Sequence, residues 1–226
     1  MSGEQIVYEI ATQEHRPALV QFLLDVFRVE EPITAAVGTT REDAVEFYDD
    51  LADSGLKGPV SFVALDSGTG QLVGCRLNEV VDFDREEEKA VCKQATVYPS
   101  DSANLISEFI DELCKDLASL LTWDEQQRGR RRMMKFVVVG VHPAWMRRGI
   151  GTRLVQLSLA KARELDSTAL RSQLMFEKLG FSTLREISYA DYQRNGVPVF
   201  KHLHDGAKVG KLMAKGISSN VNDVTQ

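Results

Sequence analysis

One segment indicates the architecture of this chain: Phe136-Val137-Val138-Val139-Gly140-Val141-His142-Pro143-Ala144-Trp145-Met146-Arg147-Arg148-Gly149-Ile150-Gly151-Thr152. Its first part is a run of β-branched residues, which predicts a buried strand. Pro143 ends this strand because proline donates no ladder hydrogen bond. A basic, glycine-rich turn follows, and apolar residues then recur with helical spacing. Backbone N–H groups, the helix dipole and the arginines would together attract an anion, so we expect a phosphate or pyrophosphate at this turn.

The spacing of the turn restricts the kind of phosphate ligand. It matches neither the nucleoside-triphosphate loop nor the dinucleotide fingerprint. A strand ending in Val-x-Pro, then an aromatic residue, then Arg-Gly-x-Gly resembles the coenzyme A pyrophosphate loop of the GNAT superfamily of N-acetyltransferases. The downstream segment Phe-Glu-Lys-Leu-Gly-Phe, residues 176–181, is similar to the second common segment of that superfamily. The alternative is a glycine turn that serves only strand-to-helix packing.

Composition agrees with an enzyme domain that works in the cytoplasm. The chain has 226 residues and a net charge of −6, with charges interspersed, so it shows no basic footprint for nucleic acid. Its three cysteines lack a CxxC spacing and indicate reduced thiols. The N-terminus has no secretory signal pattern, and no apolar run approaches a membrane-spanning length. We therefore expect a cytoplasmic monomer without nucleic-acid or membrane partners.

The predicted fold class is α/β (α+β), a GNAT-like central mixed, mostly antiparallel sheet flanked by helices. We expect a single N-acetyltransferase domain over residues 1–216 and a flexible polar tail over 217–226. One expectation departs from the superfamily pattern. Only residues 166–170 separate the helix of the phosphate turn from a helical pattern at 171–179. The strand that should follow this helix is therefore predicted to be missing or shortened.

The two ends of the chain narrow the resemblance. Both ends are similar to the arylalkylamine (dopamine-type) N-acetyltransferases. The similarity lies in Phe27 followed by Glu31-Pro32, and in the C-terminal segments at 189–192, 196–201 and 212–215. This resemblance implies an acetyl-CoA-dependent acyltransferase that acetylates the primary amine of a small arylalkylamine. It assigns the general base to Glu31 and proton-transfer roles to the hydroxyls of Thr168 and Ser172.

The chemistry gives these residues physical tasks. A carboxylate can accept the proton that an alkylammonium must lose before its nitrogen attacks a thioester. Pro32 favours an extended conformation at Glu31, and a half-buried position would raise the pKa of its carboxyl group. Backbone donors near Val139 and Val141 would hold the thioester carbonyl. The residues expected to bind coenzyme A are Val139, Gly140, Val141, Met146, Arg147, Arg148, Gly149, Ile150, Gly151 and Thr152.

Several alternatives stay open at this point. Glu30 competes with Glu31 as the base, and Met146 replaces the Gln or Arg usual at the start of the phosphate motif. Phe27, Tyr48 and Phe83 are candidates for an aryl slot, although each is also a plausible core residue. The chain could be a catalytically weak or inactive GNAT-fold protein that binds coenzyme A, or it could acetylate a polyamine or a protein. No metal cofactor is expected, since His202 and His204 lack a third ligand.

Overall fold

A seven-stranded sheet forms the centre of the computed structural model, which describes residues 5–84, 96–121, 130–172 and 179–216. The strands are β1 Ile6–Ile10, β2 Phe62–Asp66, β3 Leu72–Asp84, β4 Arg130–Val141, β5 Thr168–Ser172, β6 Ser182–Ser188, β7 Gln193–Arg194, β8 Val197–Pro198 and β9 Val209–Lys215. The order across the sheet is β1-β2-β3-β4-β5-β9-β6, and β7 and β8 form a separate hairpin. Among these neighbours only β4 and β5 run parallel, which confirms the predicted mixed, mostly antiparallel sheet.

Helices flank the sheet, and the apolar spacing after Thr12, which predicts one helix ending near residues 28–29, belongs to several short segments in the structure. The helices are α1 Arg16–Phe22, a π-helical segment Leu23–Phe27, α2 Arg28–Glu30, α3 Pro32–Ala36, α4 Val45–Gly55, α5 Asp101–Cys114, α6 Leu117–Leu120 and α7 Ile150–Glu164. Glu31 separates α2 from α3 in an extended conformation, with φ −78° and ψ 119°, as expected for the residue before Pro32. The side chain of Ser100 caps α5 through the Ala103 N–H.

The sheet separates two apolar cores. One face packs against α1, α4 and α5 through buried residues such as Phe22, Tyr48 and Phe109. The other face packs against α7, and Val155 and Leu159 of this helix belong to one apolar cluster with Met134 and Phe136 of β4. Side chains alternate between these faces along a strand, so β4 contributes to both cores. The segment from 136 to 152 is thus central to the packing, as predicted.

Local sequence patterns also predict three elements whose bounds differ in the structure. The apolar spacing after Thr40 predicts a helix over residues 41–51, but it begins only at Val45, because residues 41–44 form a turn. The apolar spacing from Leu105 to Leu120 predicts one long helix, but α5 ends at Cys114, and Asp116 in the left-handed region (φ 52°) separates it from α6. The alternation over residues 198–203 predicts a strand, and this is wrong, since the strand there is Val197–Pro198, in the hairpin of β7 and β8.

The strand after α7 is present, so the prediction that it is missing is wrong, although it is as short as five residues. The connection is tighter than expected because Asp166 adopts a left-handed conformation (φ 50°) and the Ser167 N–H bonds to Ala162 O at 2.9 Å. The helical pattern predicted from residue 171 is also wrong at its start, where the backbone belongs to β5 and pairs with β9. Residues 173–178, which include most of the second common segment, lie outside the described residues.

Candidate active site

A wedge opens between the two parallel strands of the sheet. Among the described residues, β4 and β5 pair from Met133 to Lys135 on the β4 side and no further. On its other side, β4 pairs with β3 along its whole length, from residue 130 to Val141. Within the described residues, the β4 segment from Phe136 to Val141 therefore lacks a strand partner on the β5 side.

Main-chain groups of β4 face this wedge at two of the predicted residues. The His142 N–H donates to Val73 O at 2.8 Å, which identifies their position as a hydrogen-bonded pair of the antiparallel ladder. Hydrogen-bonded and non-hydrogen-bonded pairs alternate along such a ladder, and the register is regular from Val141 back to Val139. The N–H and C=O groups of Val139 and Val141 therefore point away from β3, into the wedge, whereas those of Gly140 pair with β3.

The predicted phosphate turn connects the end of β4 to the start of α7. A single 3-10 turn, Pro143–Trp145, begins at His142, whose Nδ1 accepts from the Ala144 N–H at 3.2 Å. Gly149 is the N-cap of α7 in the left-handed region, with φ 77°. The first main-chain bond of the helix runs from the Arg153 N–H to Gly149 O, so helix geometry leaves the N–H groups of residues 150–152 without an intrahelical partner. This arrangement is suited to an anion.

The three residues before Gly149 are not equivalent. The Met146 N–H donates to Pro143 O at 3.2 Å, so it is used within the turn itself. Arg147 adopts a left-handed conformation (φ 62°), which is unfavourable for a non-glycine residue, and it is exposed. The Arg148 guanidinium folds back on the turn, with one nitrogen 3.3 Å from Ala144 O and its carbon 4.6 Å from the Trp145 ring centre. Arg147 is thus the better placed of the two arginines to meet a phosphate.

Glu31 is a half-buried carboxylate at the start of α3. Its Oε2 accepts hydrogen bonds from the Thr34 N–H and the Thr34 hydroxyl, both at 2.7 Å. Burial raises the pKa of the Glu31 carboxyl, the hydrogen bonds from Thr34 and Ile33 lower it, and the negative charge of Asp205 raises it. Glu30, the competing candidate, is exposed. A carboxyl whose pKa burial has raised is suited to accept a proton from an amine.

A short chain of contacts links the phosphate turn to Glu31. A Cβ at Gly151 would lie 3.6 Å from Val141 Cγ2, so the start of α7 lies against the end of β4. One residue earlier, a Cβ at Gly140 would meet Phe22 Cε1 at 2.9 Å and Phe27 Cδ2 at 3.2 Å. The carbonyl of Phe27 accepts the Glu31 N–H at 2.7 Å. The candidate base therefore lies one helical turn from an aromatic side chain that touches β4 beside the wedge.

The candidate aryl slot is partly formed. The rings of Phe27 and Tyr48 lie edge to face with centres 6.1 Å apart. The backbone of Phe83 pairs with residue 131, eight positions along β4 from Val139. At about 3.3 Å per residue this is roughly 26 Å, so the backbone at Phe83 is far from the part of β4 that Phe27 contacts.

The two hydroxyl residues suggested as proton-transfer groups both lie on β5. Thr168 is buried and pairs with Met133, seven positions before Gly140, which corresponds to about 23 Å along the strand. The structure therefore does not bring Thr168 to the part of β4 that contacts Phe27. The backbone of Ser172, at the end of β5, pairs with Leu212, and its side chain lies outside the described residues.

Sequence reasoning missed several residues around Glu31. Thr34 has a recognisable signal, since it lies three residues after a candidate N-cap residue that is followed by proline. Tyr48 was considered only for its ring, but its buried hydroxyl has no hydrogen-bond partner among the described residues. Burial, Glu31 and Asp205 all raise the pKa of the Tyr189 phenol. Nothing in the local sequence places Tyr189 or Asp205 beside a residue more than 150 positions earlier.

Two further features concern metal and membrane. Within the part of the chain that the structure describes, no three His, Cys, Asp or Glu side chains are grouped as metal ligands would be. Over the same residues, no helix has the length and apolar character needed to cross a membrane.

Comparison with known proteins gives structural matches only. No family model matches the sequence, and no curated protein matches it significantly. Arylalkylamine N-acetyltransferase 2 from Aedes aegypti superposes with a TM-score of 0.77 at 21% identity, over 94% of this chain and 99% of its own. The Drosophila melanogaster polyamine N-acetyltransferase, which forms N-acetylagmatine, gives 0.73 at 17% identity over 94% and 100%. The C-terminal condensation domain of Ebony, solved with β-alanyl-dopamine, gives 0.71 at 16% identity over 94% and 99%. The chain therefore has the GNAT fold.

Proposed function

We propose that this GNAT-fold chain is an N-acetyltransferase that moves an acetyl group from acetyl-CoA to the primary amine of a small arylalkylamine. The observation that carries the proposal is the position of Glu31. Its main-chain N–H bonds to the carbonyl of Phe27, and the Phe27 ring lies against β4 at Gly140, between two residues whose main-chain groups face the wedge. Support for the arylalkylamine class comes from the fold shared with the Aedes aegypti enzyme and from the edge-to-face pair of Phe27 and Tyr48.

The residues at the start of α7 would bind the diphosphate of acetyl-CoA. The N–H groups of Ile150, Gly151 and Thr152 lack intrahelical partners, and the positive end of the helix dipole adds to their attraction for an anion. Gly149 supplies the left-handed conformation that allows the backbone to turn there. Arg147 would add a positive charge from the exposed side of the turn.

Two parts of the chain would carry out the transfer itself. Glu31 accepts the proton of the substrate ammonium, and the freed nitrogen attacks the thioester carbonyl. The N–H groups of Val139 and Val141 donate hydrogen bonds to the carbonyl oxygen as negative charge develops on it. The new amide bond forms as the carbon–sulfur bond breaks, the nitrogen loses its second proton to the departing coenzyme A thiolate, and Glu31 releases its own proton to solvent.

A direct assay tests the proposal. Purified protein is mixed with acetyl-CoA and tyramine, dopamine or tryptamine, and release of the coenzyme A thiol is followed. We expect turnover that falls by roughly 10²- to 10⁴-fold in E31Q, since this is the usual contribution of a general base. E30Q is the matched control, because Glu30 is the exposed neighbour. An E31Q variant as active as E30Q would remove Glu31 as the base.

The second candidate is a GNAT acetyltransferase for a diamine or polyamine such as agmatine. Its support is the carboxylate of Asp205, close enough to Glu31 to raise the pKa of that group, since a pair of acids suits a substrate with two cationic groups. The fold is also shared with the polyamine enzyme from Drosophila melanogaster. For this candidate, D205N should raise KM for agmatine and leave KM for tyramine unchanged. Tight acetyl-CoA binding in calorimetry without turnover of any amine would instead identify an inactive coenzyme A-binding protein.

A further inference from the structure

We propose that Thr34 is a positioning residue for the base, because its hydroxyl and its N–H together hold Oε2 of Glu31 and fix the orientation of the carboxylate. This inference rests on the proposed function, within which Glu31 accepts the substrate proton. It adds a residue that would act on the reaction through Glu31 and does not itself contact the substrate.

Two hydrogen bonds at a buried position carry the inference. Both Thr34 donors lie 2.7 Å from the same oxygen of Glu31, and Thr34 is only 2% exposed. Hydrogen bonds to a charged acceptor are about twice as strong as those between neutral groups. The bonded oxygen is fixed by a backbone group and by a β-branched side chain with restricted rotamers, so the carboxylate plane has little freedom to rotate.

Capping of α3 alone would not require the Thr34 hydroxyl. An N-cap side chain needs only the N–H of the third helical residue, and the Thr34 N–H already makes that bond. The hydroxyl is therefore available for a second task. It stabilises the charged form of a carboxyl group that burial pushes toward the neutral form, so it keeps the base ionisable at a position screened from water.

The surroundings show why this support matters. Within the described part of the chain, the titratable groups that interact with Glu31 include Asp205 of the C-terminal segment, Tyr189 after β6 and Tyr48 of α4, and Arg28 of α2 acts on Tyr48. Asp205 disfavours the ionised form of Glu31. The Tyr48 hydroxyl is buried near Thr34 and has no hydrogen-bond partner among the described residues.

The experiment compares three variants by two readouts on the full chain. T34V removes the hydroxyl but keeps the shape and the N–H, and T34S restores the hydroxyl. T69V is the matched control, since the Thr69 hydroxyl donates to Asp66 Oδ2 at 2.6 Å in the β2–β3 hairpin. Carbon-13 NMR of labelled glutamate follows the Glu31 titration, assigned by its loss in E31Q. The pH profile of kcat/KM reports the same group in turnover.

We expect T34V to move the Glu31 titration and the acidic limb of the profile upward together, by about one pH unit, since the lost bond favoured the charged form. T34S should return both to the wild-type position, and T69V should move neither. A T34V variant that moves neither readout overturns the inference, as does one in which the NMR titration moves without the kinetic limb. Wild-type protein that acetylates no amine ends the proposed function instead, and that result is visible without any variant.

Discussion

Glu31 is placed under two opposing influences, and their balance determines how it can act. Burial raises the pKa of its carboxyl, whereas the hydrogen bonds from Thr34 lower it. The extended conformation imposed by Pro32 was predictable from sequence, because it depends on one covalent neighbour. The influences of Asp205 and Tyr48 were not, because they come from residues brought close only by the tertiary fold.

The raised pKa of Glu31 predicts how stability changes with pH. Over the interval between the ordinary and the raised pKa, the folded chain binds a proton that the unfolded chain has released. The free energy of unfolding of the wild type should therefore fall relative to that of E31Q as pH rises through this interval. Urea unfolding of both proteins from about pH 4 to pH 8 measures the difference. A wild type that gains stability over E31Q with rising pH would contradict the buried carboxyl.

Gly140 predicts a second effect at the level of one residue. A Cβ there would overlap Phe22 at 2.9 Å and press on Phe27 at 3.2 Å. We expect G140A to lose about 1–3 kcal/mol of stability by overpacking. It should also lose activity, since displacing Phe27 moves Glu31. G58A is the matched control, because no atom lies within 4 Å of the added Cβ. A G140A protein that matches G58A in urea unfolding and in turnover would refute this packing.

The elements of the fold show where sequence reasoning succeeds. The turn from Pro143 to the start of α7 was predicted because proline, glycine and helical periodicity are local signals, and each acts on its own backbone. The hairpin of β2 and β3 is predictable for the same reason, since strand patterns at 60–65 and 71–80 flank a glycine-rich turn, and its ends are displaced by a few residues in the structure. These elements position the candidate phosphate site.

β5 shows where the same reasoning fails. Its residues Thr-Ala-Leu-Arg-Ser have no strong periodicity, and the helical pattern that overlaps its end argues against a strand. The strand forms because β4 on one side and β9 on the other supply main-chain partners. Such long-range pairing overrides weak local preference, and a single sequence does not reveal it.

The wedge beside β4 predicts a difference between neighbouring amides. The N–H groups of Val139 and Val141 point away from β3, whereas the N–H of Gly140 pairs with Cys75 of β3. Hydrogen exchange should therefore be faster at the two valines than at Gly140 in the free protein. Saturating acetyl-CoA should slow exchange at the valines by roughly tenfold or more, if their amides bind it. Equal protection of all three amides in the free protein would contradict an open wedge.

At the scale of the whole molecule, the sheet separates the surroundings of Glu31 from the helix of the candidate phosphate site. Phe22, Phe27 and Tyr48 belong to the core that also contains α4 and α5, and α7 packs on the opposite face. The two faces meet at the parallel pair β4 and β5, whose pairing ends at Lys135 among the residues that the structure describes. Over these residues the parallel strands pair at three positions, and this opening has no counterpart between β4 and its antiparallel neighbour β3.

This architecture predicts that acetyl-CoA stabilises the chain as a whole. A ligand held by both α7 and β4 binds only the folded state, and at 100 times its Kd it adds about 2.7 kcal/mol. For a chain of 226 residues this corresponds to a rise in Tm of about 5–10 °C, measurable by differential scanning fluorimetry. R147A should bind more weakly and show a smaller rise at the same concentration, while its Tm without ligand stays about the same, since Arg147 is exposed and alanine keeps the Cβ that disfavours φ 62°. K57A, a change on an exposed lysine in the turn after α4, is the control and should keep the full rise.

If acetyl-CoA leaves the Tm of the wild type unchanged at millimolar concentration, the main-chain amides after Pro143 do not bind its diphosphate, and the proposed chemistry loses its acyl donor.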